Sequence, residues 1–322
     1  MRDKFELEAS CRLAVDGQDR LEFNLRDVAF NLFEVYPNHI VNMESLYLNL
    51  SYLLPRLARH FLPEKLVRAL LLYGWIIRPG IETSNPSAAV KRYVDVLSAR
   101  GSSFRDKRVL VFGYGGRFDV GFSLLKEGAS HVILCDKYAP PDEAHNLRLF
   151  GAEHRYFFVE RSGLRPRKEW MTLLQTDIRD IQARGEIEAV DIVLSSSVYE
   201  HLDDVEGITR ILVDLTKPDG IQIHYVDLRD HFFKYPFEML RFSQSTWRSW
   251  LNPSSNHNRY RLWNYRNAFE ACFGKVEIEI LTHEAETFRK LRPYIRPEFI
   301  SGNMEEDAAA TVRVVVSQPL KS

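Results

Sequence analysis

From Arg108 onward the chain alternates short apolar runs with amphipathic stretches, and this alternation limits the possible folds more than any other feature. Arg108–Phe112 (RVLVF) leads through a glycine-rich turn into Phe118–Glu127, which reads as a helix. His131–Cys135 (HVILC) follows, then a polar stretch around Asp142–Leu149 and a third strand ending near Leu174. Asp191–Ser195 (DIVLS), the helical Asp203–Leu215 and Gly220–Val226 (GIQIHYV) close the series. Unbroken apolar strands separated by helices predict an α/β fold, a mostly parallel sheet covered on both faces. Lys275–Leu281 and Thr311–Ser317 add two strands near the end of the chain.

The chain before Arg108 reads as helical. Leu46–Leu57 and Leu62–Ile77 carry apolar residues at three- and four-residue spacing. Thr83-Ser84-Asn85-Pro86 is a polar cap followed by proline in a first turn, and predicts a helix running to Ala99 with Gly101 beyond its end. The expected organisation is a helical extension or cap over residues 1–100 and a main domain over 101–322. That domain carries an insertion rich in aromatics and arginine at about residues 229–274.

Composition removes several classes of function. Lys and Arg number 43 against 44 Asp and Glu, a net charge of −1, where a protein held mainly by nucleic-acid phosphates carries a basic excess. The three cysteines, Cys11, Cys135 and Cys272, lie far apart, forming neither a disulfide framework nor a Cys-x-x-Cys pair. Charges run through the first 25 residues, and the longest apolar run, Ala69–Ile77, is too short to span a bilayer. These features predict a cytoplasmic protein with no membrane span and argue against a nucleic-acid partner.

Ligand-type residues stand where strands end. Gly113-Tyr114-Gly115-Gly116 follows the first strand; glycine tolerates positive φ and close approach to a ligand, although a purely structural turn uses the same residues. Phe118 stands at the last glycine position of Gly-x-Gly-x-x-Gly, which disfavours a nicotinamide-dependent oxidoreductase. Asp136 ends the second strand, 136 − 113 = 23 residues after the first glycine, placed to accept from both hydroxyls of a ribose; the bland alternative is a surface carboxylate or a helix cap. Asp177 ends the third strand and could accept from an adenine amino group, with Ile178 packing on the ring, though aspartate is also common in turns.

These residues, together with Asp191-Ile192-Val193-Leu194-Ser195-Ser196-Ser197-Val198-Tyr199-Glu200-His201-Leu202, resemble the class I S-adenosylmethionine-dependent methyltransferases of the small-molecule, type-11-like group. The resemblance covers about Arg108–Val226 and implies a Rossmann-like seven-stranded sheet. It implies that Gly113 and Gly115 approach the methionine part of the cofactor, that Asp136 holds the ribose, and that Asp177 and Ile178 hold the adenine. Ser195 and Ser196 would lie near the sulfonium, with Tyr114, Gly116 and Lys137 alongside in the same site. Two positions depart from the family pattern: Val111 replaces an acid, and Arg117 replaces a third glycine. They leave open a non-catalytic cofactor-binding or scaffolding protein. Some members hold a metal through Glu-x-x-Glu-His; here Ser197 stands at the first position and Glu200-His201 is a single pair, so no metal is expected.

Methyl transfer from a sulfonium requires alignment and dryness, and a base where the acceptor arrives protonated. Asp227, Asp230 and His231, beyond the fifth strand, are the catalytic candidates: Asp230 would orient His231 as a base. The alternative is a salt-bridged turn in which Arg229 pairs with Asp227 or Asp230. Tyr199, His201, Arg259 and Trp263 are candidates for contacting the acceptor. The aromatics and arginines of the insertion equally suit a lid packed on the sheet.

Overall fold

The structure, a computed structural model, describes residues 51–57, 60, 85–150, 154–161, 163–232, 234–253 and 256–321. The helix expected over Leu62–Ile77, residues 46–50 of the preceding one, Thr83-Ser84 of the cap and Cys11 lie outside the described residues.

Helix α1 (Pro86–Ser98) starts where the cap predicts: the Asn85 side chain accepts from the Ala88 amide, and proline fills the first turn, where no intrahelical donor is needed. Then follow β1 (Arg108–Phe112), α2 (Asp119–Lys126), β2 (His131–Cys135), α3 (Glu143–Phe150), β3 (Phe157–Glu160), β4 (Gly163–Pro166), β5 (Met171–Leu174), α4 (Ile178–Arg184), β6 (Val190–Ser196), α5 (Val205–Asp214) and β7 (Thr216–Asp227). The chain ends with α6 (Leu262–Glu270), β8 (Phe273–His283), α7 (Ala285–Leu291), α8 (Met304–Asp307) and β9 (Ala309–Pro319). The sheet has seven strands in the order β5-β2-β1-β6-β7-β9-β8. β5, β2, β1, β6 and β7 are parallel, and β9 runs antiparallel between β7 and β8. The expected mostly parallel α/β sheet is therefore present. β3 and β4 form a separate antiparallel hairpin that the apolar pattern does not signal.

Period-two alternation divides each central strand between two cores. Leu110 and Phe112 of β1 join Ile133, Cys135 and Val193 on one face; Val109 and Val111 join Val132, Leu134, Ile192 and Leu194 on the other. Burial of each such side chain contributes roughly 1.5–3 kcal/mol, so both faces of β1 need cover. Helix α1 supplies part of it through Val90, Tyr93, Val96 and Leu97, which pack into the second core.

A third core joins residues 51–57 to the insertion: Tyr52 and Leu53 pack with Tyr235, Phe237, Leu240, Phe242, Trp247 and Phe288. The insertion is tied down by buried arginines. Arg261 donates to the carbonyls of Leu228, Asp307 and Ala309, joining the end of β7 to the start of β9. Arg259, with a left-handed backbone (φ 62°), donates to the carbonyls of Met239 and Phe242, and its guanidinium lies over Trp247 and Phe299. Among the described residues, no helix is long and apolar enough to cross a membrane.

Arg261→Lys keeps the charge and loses the fork, leaving buried carbonyls unpaired; we expect a loss of about 2–4 kcal/mol. Urea unfolding measures it, and a change below about 0.5 kcal/mol would show that these bonds do not anchor the insertion.

Candidate functional site

The glycine turn is gripped from both sides. Gly113, at φ 83°, sits so close to the chain leaving β6 that a Cβ there would lie 2.2 Å from Val198 Cγ2. Gly116, also at φ 83°, meets the chain leaving β2: its Cβ would lie 2.4 Å from the Pro140 carbonyl. Both the positive φ and the clearance exclude a side chain at these positions. Asn146 of α3 locks the turn, accepting from the Phe118 amide at 3.0 Å and donating to the Gly116 carbonyl at 3.0 Å. Arg117, at the family's third-glycine position, pairs outward with Asp142 at 3.2 Å.

The turn and Asp136 meet directly. The Gly115 amide donates to Asp136 Oδ2 at 3.1 Å, while the amides of Tyr138 and Ala139 both donate to Oδ1 at 2.8 Å. Three donors occupy a carboxylate with about four acceptor sites, so acceptor capacity remains for a hydroxyl. Tyr114, at the tip of the turn, points inward: it is buried and stacks on Phe118, and burial pushes its phenol above the usual range. Phe118 is fully buried between Tyr114 and Phe157, so the position of the missing glycine is a core position here.

Asp177 caps α4 and is saturated. Oδ1 accepts from the Arg179 amide and Nε at 3.0 Å each; Oδ2 accepts from Arg179 Nη2 at 2.8 Å and Lys137 Nζ at 3.1 Å. The Arg179 guanidinium foremost holds its carboxyl below the ordinary carboxylate range. Ile178 is buried in the core and turns no open face to a ring. The structure thus brings Asp136 to the turn, whereas Asp177 and Ile178 serve the start of a helix.

Ser195 is buried with its Oγ 2.8 Å from His224 Nδ1, and His224 Nε2 lies 2.9 Å from Gln222 Oε1. Burial lowers the His224 pKa to about 3. Ser196 is half-buried beside it at the end of β6. Asp227 takes the salt-bridged turn: Arg229 grips both its oxygens, at 2.9 and 2.8 Å. Asp230 is fully buried and bound to Arg56, to Tyr52 Oη at 2.6 Å and to the Phe232 amide at 2.9 Å. It fastens residues 51–57 to the insertion, and these bonds do not orient His231.

His231 instead meets Glu200 and His201. Its Nε2 lies 3.9 Å from Glu200 Oε1, and the two histidine rings stand edge to face at 4.8 Å. Glu200 is 1% exposed, and burial raises its carboxyl pKa to about 8. Tyr199, beside it, is core, packed on His224 and Phe269. Trp263 is half-buried on α6, and Arg259 donates from Nη1 to the carbonyls of Met239 and Phe242 and from Nη2 to Gln244 Oε1. The sequence places Glu200 beside His201 as a motif pair; its burial and its approach to His231 come from the packing.

No family model matches the chain, and no curated protein matches it. Among solved structures it is similar to a SAM-dependent methyltransferase from Archaeoglobus fulgidus, at 13% identity over 76% of this chain and 98% of that one, with a TM-score of 0.45. Geranyl diphosphate C-methyltransferase from Streptomyces coelicolor A3(2) is similar at 10% identity, over 71% of this chain and 79% of that one, TM-score 0.43. A protein from Streptococcus mutans assigned as a SAM-dependent methyltransferase is similar at 15% identity, over 66% of this chain, TM-score 0.37; the chain spans 45% of its length. The seven-stranded order with β9 antiparallel between β7 and β8 is itself that of the class I methyltransferase fold.

A buried neutral imidazole has a defined pH signature. Unfolded His224 takes a proton below its ordinary pKa of 6.5, while folded His224 stays neutral down to about pH 3. Stability contributed above pH 6.5 is therefore lost as pH falls toward 3, by at most about 1.4 kcal/mol per unit. We expect His224→Gln to flatten unfolding free energy against pH across this window. Equal slopes in both proteins would remove the buried neutral imidazole.

Proposed function

We propose that the chain transfers a methyl group from S-adenosylmethionine to a small organic acceptor, leaving S-adenosylhomocysteine. The observation that carries this reading is the 3.1 Å bond from the Gly115 amide to Asp136. It sets a glycine-rich turn, whose one large side chain, Tyr114, is turned into the core, beside a carboxylate with spare acceptor capacity, at the carboxyl ends of adjacent parallel strands. Open α/β sheets bind ligands there, a glycine turn allows close backbone approach, and a carboxylate can accept from ribose hydroxyls.

When bound, S-adenosylmethionine supplies a methyl group already activated on a sulfonium. The chain's own residues then have three tasks. Asp136 accepts from the ribose. The Gly113–Gly116 turn, held by Val198 and Pro140, offers close backbone approach to the rest of the donor. The Asn256 and Asn258 side chains latch the insertion onto the segment after β6, bonding the carbonyls of His201, Tyr199 and Leu202, and so cover the acceptor side from water. His231 is the proposed base for an acceptor that arrives protonated, with Glu200 as the neighbouring acid.

Calorimetry with S-adenosylmethionine and S-adenosylhomocysteine tests this. Both ligands should bind the wild type. Asp136→Ala should weaken both by about 1–3 kcal/mol, the worth of a charged hydrogen-bond partner. Absence of binding to ligand-free wild type would sink the reading, and equal affinity in the variant would take Asp136 out of the site.

A further inference from the structure

We propose, resting on the methyl-donor reading above, that Lys137 sets which bases the cofactor site accepts: its ammonium fills the last acceptor position on Asp177, so the base is read through its own acceptors and its amino group is not read. The sheet gives the place of the base. Asp136, at the end of β2, takes the ribose hydroxyls, and the base and the 5′ arm stand at opposite ends of a ribose. β2 lies between β1 and β5 in the strand order. The 5′ arm needs the close backbone approach that the glycine turn after β1 offers. The exit of β5 is then left for the base. It adjoins Asp136 directly, since the Asp136 amide donates to the Leu174 carbonyl at 3.0 Å and Cys135 pairs with Leu174.

Asp177, the carboxylate at that exit, has no position left for a base amino group. A carboxylate offers about four lone-pair sites. Four donors fill them, all within 3.1 Å: the Arg179 amide and Nε on Oδ1, and Arg179 Nη2 and Lys137 Nζ on Oδ2. Arg179 is anchored a second time, its Nη1 lying 3.9 Å from Asp203. Lys137 is held from two sides as well. Its ammonium meets the Asp177 carboxylate and lies 5.1 Å from the centroid of the Tyr138 ring, and its bond to Asp177 raises its pKa above the ordinary lysine value. Three of the four donors belong to the helix that Asp177 caps. The fourth reaches across from the end of β2, over the place where the base would lie.

A base amino group reaches Asp177 only by displacing Lys137. That exchange trades a charged donor for a neutral one, and charge-assisted hydrogen bonds are about twice as strong as neutral ones, so Lys137 keeps its place. An ammonium carries three N–H donors. One goes to Asp177, and the others suit acceptors on the edge of a base. Adenine meets them with ring nitrogens and leaves its amino group unread. Hypoxanthine carries a carbonyl where adenine carries that amino group, and meets them at least as well. Asp177 by itself reads as an acceptor for an amino group; the lysine that occupies it lies 177 − 137 = 40 residues earlier in the chain.

The test is calorimetry on the ligand-free full chain with S-adenosylhomocysteine and with S-inosylhomocysteine, its deaminated analogue. A carboxylate that accepted from the amino group would reject the analogue by about tenfold or more, the worth of one hydrogen bond to a charged group. The wild type should instead bind the two within about fivefold of each other, or bind the analogue more tightly. Lys137→Met frees a position on Asp177 and should create a preference for S-adenosylhomocysteine above about fivefold, whereas Lys137→Arg, which keeps a cation there, should retain the wild-type ratio. The Lys137 side chain is 44% exposed, so neither substitution enters the core. Should a variant bind too weakly to measure, the wild-type ratio decides alone. A wild-type preference for S-adenosylhomocysteine above about fivefold, or no such preference in Lys137→Met, would overturn the proposal and leave the methyl-donor reading standing. Binding of neither compound by the wild type would overturn both.

Discussion

The arrangement of this molecule depends on a turn that excludes a side chain at two of its positions, Gly113 and Gly116. At Gly113 the chain leaving β1 passes within a methyl group's reach of Val198, and at Gly116 it passes under the Pro140 carbonyl. The exits of three adjacent strands, β1, β2 and β6, therefore converge on one backbone loop. Only residues free in φ and lacking Cβ allow that convergence. The bond from Gly115 to Asp136 follows from it, since β1 and β2 are paired in register from Arg108 opposite His131 to Phe112 opposite Cys135.

Electrostatics divides the carboxylates at this edge of the sheet into distinct kinds. Asp177, Asp227 and Asp230 are each bound by a guanidinium and serve to hold the chain in place. Asp136 accepts from the backbone amides of Gly115, Tyr138 and Ala139, which position it without filling it. Glu200 is buried with no guanidinium against it among the described residues, and burial raises its carboxyl pKa to about 8. A carboxylate matched to an arginine is a poor candidate for ligand contact, because its partner must first be displaced. By that criterion Asp136 and Glu200 stand apart from the arginine-bound carboxylates.

The arginine-rich insertion illustrates the same division. Its composition suits either a wall for an anionic acceptor or a packed lid, and the structure uses Arg259 and Arg261 for packing. Buried guanidiniums donating to backbone carbonyls satisfy groups that irregular chain would otherwise leave unpaired. Residues 51–57 join the same assembly through Tyr52 and Arg56, which both bond Asp230, so this part of the molecule is built from segments far apart in sequence.

The amino-acid sequence by itself determined the central strands, the start of α1 at Asn85-Pro86 and the glycine turn, because apolar periodicity, caps and positive φ are local properties written within a few residues. The hairpin of β3 and β4 escaped it, since β3 is half exposed and lacks a clean alternation. Tertiary structure alone decided the partners of the polar residues. Asp230 reads as the neighbour of His231 yet bonds Arg56, 174 positions earlier, and His231 faces Glu200. Hydrogen bonds and ion pairs select whatever group the packed strands bring within about 3–4 Å, and sequence separation does not enter that distance.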